Sequence, residues 1–416
     1  MSLLGTLLRL RGPRPDDFGS PVHDTAVVAR IGRWLGIAIA ICFVTGLISH
    51  NAQSATGIGL VPWPSWGYRL TQGLHVASGI AAIPLLLGKV FAAYPRLFVR
   101  PVLPRPSLDG LPVMLERASI GVLVGAAFFE LSTGLLNINQ WYVFGFLFVP
   151  VHYALAWVMA GALLVHVAVK LPIIRRHLTR AGQAEASLLP EPVSPIPEPV
   201  DGPVFTLRRA RGAEVERRTF VRGVLTVSGV LGLLTVGQSF TPLSRLALLA
   251  PRQPGQANRQ GVPINKTAAM AKVTSLVADA DTTWTLTLTG PTGAVRTLTL
   301  ADLLALPATT VRLPIACVEG WSVMASWTGV RVRDLLALVG GAGGWAARVT
   351  SLEQGSSYSV STLPPAFADH EDTLLATRLN GEVLEVDHGY PARIIAPNRP
   401  GVLQTKWVQR IDGLLP

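Results

Sequence analysis

Cys317 is the residue whose type and setting point most directly to chemistry. It lies in the run IACVEGWS at 315–322, and the sequence has only one other cysteine, Cys42, within an apolar stretch. A deprotonated cysteine is a soft, electron-rich ligand that suits a redox metal. The alternative interpretation is a buried core cysteine with no chemical role.

A second group of residues could bind an anion. His388 and Arg393 flank a Gly-Tyr-Pro turn, and Lys406 follows on a predicted short strand. Arginine presents a planar fork of donors and lysine a point charge, and both suit a phosphate group. The alternative interpretation is a basic turn that faces solvent.

Both groups lie in segments that resemble the molybdenum-binding domain of the sulfite-oxidase family. The resemblance rests on the run around Cys317 and on a longer block at 370–397 and 406–408, and it covers roughly residues 262–412. It implies that the Cys317 thiolate ligates the molybdenum of a molybdopterin cofactor and is the catalytic residue. The cofactor-binding residues that it implies are Asn265, Tyr358, His388, Arg393 and Lys406.

Two departures from the family pattern concern the substrate. Leu403 stands where the family often has a basic residue, and the chain ends shortly after Trp407. The second, immunoglobulin-like domain of the animal and plant enzymes is therefore not expected, and the run after Cys317 is nearer to the compact bacterial members. The cofactor is expected, and the substrate is left open.

The composition indicates a membrane protein rather than a wholly soluble one. Of 416 residues, 49% are hydrophobic and only 15% are charged, which is apolar for a soluble chain. Two cysteines exclude a disulfide framework and a thiolate-bound iron–sulfur cluster. The net charge of +11 is clustered beside apolar stretches, which favours membrane topology over nucleic-acid binding.

Apolar stretches of the length that a bilayer requires, about 20 residues, predict five membrane-spanning helices. Arginine and lysine residues concentrate before the first span, between the second and third, and after the fourth, whereas the other connections are nearly uncharged. The positive-inside rule then places the N-terminus in the cytoplasm of a bacterial cell and the C-terminal domain across the membrane from it. The predicted spans are 30–49, 71–93, 118–137, 146–171 and 221–240.

Histidines at matching depths in these spans predict two haems. His152 and His166 lie 14 residues apart on the fourth span, which places them about 21 Å apart along the helix and within about 40° of the same face. His75 lies early in the second span, which runs in the same direction as the fourth, so its depth matches that of His152.

The remaining haem ligand is expected from the first span. A serine–proline pair at 20–21 predicts a helix start that extends this span down to His23. The arrangement resembles the di-haem cytochrome b subunits of formate dehydrogenase and related bacterial oxidoreductases, and it pairs His75 with His152 and His23 with His166 as ligands of haem iron. His50, at the outer end of the first span, is an alternative candidate for a haem ligand. Each histidine could instead be a polar residue hydrogen-bonded among the helices.

A twin-arginine export motif is predicted before the fifth span. Arg217 and Arg218 stand there in the run ERRTFVR, and such motifs direct export by a dedicated route. A cofactor inserted in the cytoplasm, as the family implies, requires a route that accepts folded protein. The alternative interpretation is ordinary positive charge flanking a span.

The predicted fold class is an all-α membrane domain of four bundled helices plus a fifth transmembrane helix, followed by an α+β domain of sulfite-oxidase fold. In the α+β domain, alternation at 283–289 predicts a strand, and 301–307 and 332–340 predict short helices. The predicted domains are 1–180 for the di-haem membrane domain, 181–220 for a Pro/Glu-rich linker and basic stretch, 221–245 for the fifth helix and 255–416 for the molybdopterin domain.

Together these features predict a membrane-bound molybdenum oxidoreductase. A small-molecule substrate would exchange an oxygen atom outside the cytoplasm, and electrons would pass through b-type haems to or from a membrane quinone. The alternative hypothesis is a non-catalytic cytochrome b electron carrier with a vestigial cofactor domain. A transporter is a third hypothesis, against which the Cys317 and His388 segments argue.

Overall fold

The computed structural model describes residues 20–53, 61–97, 111–178, 216–252 and 259–415. Most of the linker predicted at 181–220 lies outside these residues, as do several of the arginines on which the predicted topology rests. The chain divides into two compact units. The first comprises Met1–Ala40, Gly79–Leu135 and Phe144–Val230, and the second comprises Ile41–Ser78, Leu136–Val143 and Leu231–Pro416.

Five long helices fill most of the N-terminal region. Each is long and apolar enough to cross a bilayer, so a helix is present at each of the five predicted spans. Large apolar side chains such as Leu164 are exposed on them, as suits contact with lipid. The helices are α1 (Thr25–Gln53), α2 (Gly67–Leu97), α3 (Leu111–Ile138), α4 (Phe148–Leu178) and α5 (Arg217–Val236).

The start of α1 corrects one prediction. Ser20 caps a single 3-10 turn at Pro21–His23, and its hydroxyl accepts from the backbone of Val22. Asp24 then adopts an extended conformation and its carboxylate accepts the N–H of Ala26 at 2.7 Å. The prediction that the helix extends down to His23 is therefore wrong, because Asp24 starts a new helix as its N-cap.

The C-terminal domain contains ten strands and four short helices among its described residues. The strands are β1 (Thr285–Thr289), β2 (Val295–Thr299), β3 (Thr309–Ala316), β4 (Ser322–Arg331), β5 (Ala346–Ser351), β6 (Val360–Leu363), β7 (Leu374–Leu379), β8 (Glu382–Val383), β9 (Arg393–Ile395) and β10 (Val408–Leu414). The helices are α6 (Ala280–Thr283), α7 (Leu300–Ala305), α8 (Val332–Ala337) and α9 (Pro365–Ala368).

The strands form two sheets. The first has the order β2-β1-β10-β5-β6, in which only β1 and β10 run parallel, and the second has the order β3-β4-β7-β8 with β9 paired to β7. Leu286, Leu288 and Ile411 are fully buried on the first sheet, and Trp327 and Leu379 on the second. The second sheet carries the cysteine at the end of β3.

Local sequence explains the short elements. The predicted strand at 283–289 begins two residues late, because Ala280–Thr283 forms a helical turn. The predicted helix at 301–307 is Leu300–Ala305, which starts with a capping box in which Thr299 and Asp302 each accept the other's backbone N–H. The predicted helix at 332–340 is the shorter Val332–Ala337.

Candidate functional site

Cys317 lies in a tight loop between two paired strands. Ala316 at the end of β3 pairs with Ser322 at the start of β4. Residues 317–321, here called the cysteine loop, close with two backbone bonds, from Cys317 N–H to the Trp321 carbonyl at 2.9 Å and from Gly320 N–H to the Cys317 carbonyl at 3.0 Å. These bonds hold the backbone of Cys317 in place. The residue is buried, with 2% of its surface exposed.

The structure brings most of the predicted cofactor residues around Cys317. One cavity opens onto the thiol. Its walls come from the end of β3 and the cysteine loop, from the segment before α6, and from the stretch that runs from His388 through β9 to Lys406. Asn265, His388, Arg393 and Lys406 all line it, and Tyr358 does not. The complete lining is Pro263, Asn265, Ile315, Cys317, Trp321, His388, Arg393, Gly401 and Lys406.

Arg393 connects two segments of the cavity wall. Its guanidinium donates to the His388 carbonyl at 3.0 Å and to the Gln404 carbonyl at 3.2 Å, and it lies 5.2 Å from the ring centre of Trp327. Burial lowers its pKa to about 10. The sequence predicted a fork that holds phosphate. In the structure the guanidinium donates to two backbone carbonyls, so Arg393 holds two parts of the cavity wall together and adds a positive charge beside the cavity.

Lys406 and His388 differ in charge at neutral pH. The Lys406 ammonium donates to the backbone carbonyls of Lys266 and Asp387, both at 2.8 Å. Burial, followed by the charge of Arg393, lowers its pKa to about 7. Burial and the same two cations lower the pKa of His388 to about 3, so its imidazole is neutral and can hydrogen-bond without adding charge.

The cavity fits an anionic, metal-bearing cofactor. In the part of the chain that the structure describes, no carboxylate forms an ion pair with Arg393 or Lys406. Buried positive charge without a counter-ion is costly, and a phosphate group would compensate it. Burial, followed by the charge of Glu319, raises the pKa of the Cys317 thiol. A bound metal cation deprotonates such a thiol outright.

Glu319 is a component of this site for which the sequence predicted no role. Its side chain is nearly buried and forms an ion pair with Arg252. It also accepts from the Gln140 amide at 2.7 Å and from the Trp321 indole N–H at 3.0 Å. Gln140 donates in addition to the Asn265 carbonyl at 2.8 Å. The only sequence signal was a glutamate two residues after the cysteine, and its partners are distant in the chain.

Tyr358 and Leu403 lie outside the cavity lining. Tyr358 is half-buried, and burial followed by the charge of Cys317 raises its pKa, so its phenol lies within electrostatic range of the thiol. Leu403, the departure from the family pattern, is 5% exposed and its carbonyl accepts from the Arg399 guanidinium at 3.2 Å. An apolar residue suits this buried position.

His75 has the surroundings of an oriented metal ligand. It lies on α2, and its Nδ1 is 2.9 Å from the Cys42 carbonyl on α1. A carbonyl only accepts, so this bond places the proton on Nδ1 and leaves the lone pair of a neutral ring on Nε2. Gly46 allows the close approach of α1, because a Cβ there would lie 3.1 Å from the imidazole.

His152 is held in a comparable way but has a second partner. Its Nδ1 lies 3.1 Å from the Thr133 hydroxyl, which donates to the Phe129 carbonyl on its own helix and therefore accepts from the histidine. Its Nε2 lies 3.0 Å from the carboxyl of Glu130. Glu130 was not among the predicted residues, although an acidic residue within an apolar span is itself a signal of function.

The two histidines predicted near the cytoplasmic side lie on different elements. His23 ends the 3-10 turn before α1, its Nδ1 is 3.2 Å from the Ala92 carbonyl, and its ring is 5.4 Å from that of Phe91. His166 lies on α4. Among the described residues no group of three or more His, Cys, Asp or Glu side chains could hold a metal ion. Each predicted haem has two histidine ligands, which such a group does not describe, so the haem ligands stay predictions.

Comparison with known proteins decides the nature of the C-terminal domain. The family model described as the oxidoreductase molybdopterin binding domain matches residues 272–414. These residues form a molybdopterin-binding oxidoreductase domain. The domain contains the cysteine loop and the part of the cavity wall that runs from His388 to Lys406.

Similar proteins extend the comparison to the chain as a whole. The chain is 30% identical over 169 residues to sulfite oxidase of Arabidopsis thaliana, covering 33% of this chain and 43% of that protein. It is 31% identical over 113 residues to YedZ1 of Azospira oryzae, which is named as a putative subunit of a protein-methionine-sulfoxide reductase, covering 27% of this chain and 42% of that protein. The sulfane dehydrogenase SoxCD of Paracoccus pantotrophus matches with 26% identity and a TM-score of 0.29, over 32% of this chain and 38% of that chain. The chain thus spans less than half the length of these relatives. The C-terminal domain is thus a molybdopterin-binding oxidoreductase domain that is similar to that of sulfite oxidase.

Proposed function

We propose that the protein is a membrane-bound molybdopterin oxidoreductase that uses quinol electrons to reduce a sulfoxide outside the cytoplasm. The observation that carries the proposal is the cavity in which the Cys317 thiol meets Asn265, His388, Arg393 and Lys406. Similarity to a protein named as a methionine-sulfoxide reductase subunit supports the reductive direction. The balanced reaction converts a sulfoxide and a quinol to a thioether, a quinone and water.

Three residues of the cavity have defined tasks in this proposal. Cys317 would hold the molybdenum, which supplies oxygen-atom transfer when the cofactor is bound. Lys406 would donate to the phosphate of the cofactor. A bound anion would raise the pKa of Lys406 and so keep its ammonium charged. Arg393 holds the carbonyls of His388 and Gln404 and so keeps the cavity wall in register.

The membrane helices would connect this site with the quinone pool. His75 with His152 and His23 with His166 are the proposed ligands of two b-type haems. The bonds from Nδ1 of His75 and His23 to backbone carbonyls support this assignment, because they place the proton of a neutral ring on Nδ1, the form that binds a metal through Nε2. Ligation through Nε2 of His152 requires the Glu130 carboxyl to turn away from it.

The orientation belongs to the same proposal. The positive connections predict a cytoplasmic N-terminus, and an odd number of spans then carries the molybdopterin domain to the opposite side. Arg217 would belong to a twin-arginine export signal. In the structure it begins α5 and its guanidinium lies 2.6 Å from the carboxylate of Asp24, so export would require this exposed pair to form after translocation.

Metal content and substrate turnover test the proposal together. The full chain, purified in detergent from cells supplied with molybdate, is expected to contain one molybdenum and two b-type haems. With reduced benzyl viologen as donor it should reduce a methionine sulfoxide, and Cys317→Ser should be inactive. A wild-type protein with haem but no molybdenum would refute the proposal. Turnover of sulfite with ferricyanide, and none of sulfoxides, would refute its reductive direction.

A further inference from the structure

The cysteine loop is held by residues from the ends of the membrane helices. The Gln72 amide of α2 donates to the Val318 carbonyl at 2.5 Å. The Ser239 hydroxyl, just after α5, donates to the Gly320 carbonyl. The N–H of Ser322, which follows the loop, donates to the carbonyl of Gln238 at 2.8 Å. All these residues belong to the second compact unit.

Gln72 is the central residue of this contact. It is 4% exposed, and both ends of its amide are used, because its oxygen accepts from the Ser49 hydroxyl at 2.7 Å while its nitrogen donates to Val318. Beside it, Ala52 and Tyr68 pack against Ala316, the residue before the cysteine. A fully used, buried amide fixes the groups that it joins.

Gly320 allows α2 to approach the loop at van der Waals distance. A Cβ at this position would lie 2.6 Å from Cγ2 of Val76 and 3.0 Å from the Gln238 amide nitrogen. The glycine also has φ +95°, which other residues rarely adopt. The positive φ and the lack of space for a Cβ both require glycine here. The positive φ comes from the turn of the loop itself. The lack of space comes from Val76, the residue that follows His75.

We propose that residues 72–76, the outer turn of α2, hold the cysteine loop against this helix and carry electrons between His75 and Cys317. The path runs from His75 along the backbone to Val76, across the contact with Gly320, and through the bond from Gly320 N–H to the Cys317 carbonyl. The inference rests on the proposed function. Gln72 is a positioning residue in it, because it touches the loop and neither the substrate nor the cofactor.

The electron count sets the demand on this path. Reduction of one sulfoxide to a thioether and water consumes two electrons and two protons, and oxidation of one quinol to quinone supplies both. Haem iron passes electrons singly, so two passages along residues 72–76 accompany each turnover. The backbone bonds that close the cysteine loop do not involve α2, so a looser contact between Val76 and Gly320 would slow both passages while the loop keeps its shape around Cys317.

The test compares Gln72→Leu with the matched control Thr71→Val. Leucine keeps the volume of Gln72 but leaves the Val318 carbonyl and the Ser49 hydroxyl without their Gln72 partner, which should reduce the docked population about tenfold. Thr71 is one residue away, and its hydroxyl donates to carbonyls of its own helix, those of Gly67 and Tyr68. Val76→Ala adds a second variant that removes the contact and keeps every hydrogen bond.

Three readouts separate the possible outcomes. Haem in the intact protein is reduced with quinol, a sulfoxide is added, and reoxidation is followed by stopped-flow absorbance. Gln72→Leu is expected to slow this step about tenfold, while viologen-linked turnover and the molybdenum and haem contents stay within about twofold of wild type. Amide exchange in residues 316–322 should accelerate in Gln72→Leu and stay unchanged in Thr71→Val, with or without cofactor.

Two results would overturn the inference. One is an unchanged reoxidation rate in Gln72→Leu. The other is an equal loss of viologen-linked turnover, which would mean that the substitution damages the cavity. A wild-type protein without molybdenum, or whose haem does not respond to any sulfoxide, would instead refute the proposed function, and the amide exchange of residues 316–322 would then still measure whether Gln72 holds the loop.

Discussion

Replacing Arg393 with lysine separates two roles for a buried cation. Lysine keeps the positive charge but cannot reach both carbonyls that the guanidinium joins, those of His388 at 3.0 Å and Gln404 at 3.2 Å. At least one buried carbonyl is left unpaired, at about 1–3 kcal/mol, and the planar stacking over Trp327 is weakened. We expect Arg393→Lys to lower the free energy of unfolding of this domain by about 3 kcal/mol.

A thermal melt of the full chain in detergent measures this change. A loss of about 3 kcal/mol in a domain of this size corresponds to about 6–12 °C in Tm, and the buried indoles of Trp327 and Trp407 report it by fluorescence. Arg410→Lys is the matched control, because Arg410 is exposed and pairs with Asp412 at 2.7 Å. If Arg393→Lys melts within about 2 °C of wild type, Arg393 serves as a charge alone and the positional role is wrong.

Three further predictions concern charge and capping in the same domain. Because the pKa of Lys406 is lowered to about 7, its ammonium forms only as pH falls through that value. Sulfate should therefore raise the Tm of cofactor-free protein more at pH 6 than at pH 8.5. Lys406→Met should remove this difference between the two pH values. Arg252→Met leaves the Glu319 carboxylate buried without its cation and should cost about 3 kcal/mol in a denaturant titration, part of which the double variant with Glu319→Gln should recover. Thr299→Ala removes the N-cap side chain of α7 and should lower the free energy of unfolding by about 1 kcal/mol; an unchanged denaturation midpoint would contradict that value.

The sequence was informative wherever a property depends on near neighbours. The five spans could be predicted because a bilayer requires a long apolar stretch, and the structure has a helix at each one. The start of α7 follows from a local capping box at Thr299 and Asp302. The position of Cys317 followed from a short motif, and the structure places that residue at the cavity.

Properties that depend on distant partners could not be predicted. Nothing near Arg393 in the chain shows that its guanidinium, besides lining the cavity, donates to the backbone carbonyls of His388 and Gln404. Glu319 and Glu130 obtained no role, because their partners Gln140, Arg252 and His152 are set by tertiary packing. The wrong prediction at the start of α1 could have been avoided from the sequence. Asp24, one residue after His23, is a local signal for an N-cap.

One measurement tests most directly whether the two halves of the chain form a single redox enzyme. Haem in purified protein is reduced with quinol under anaerobic conditions, a methionine sulfoxide is added, and the haem spectrum is followed. We expect that the haem of the wild type is reoxidised with one thioether formed per two electrons, and that the haem of Cys317→Ser stays reduced. Equal reoxidation in both proteins, or a wild type that contains molybdenum and haem but shows no response, would contradict this expectation.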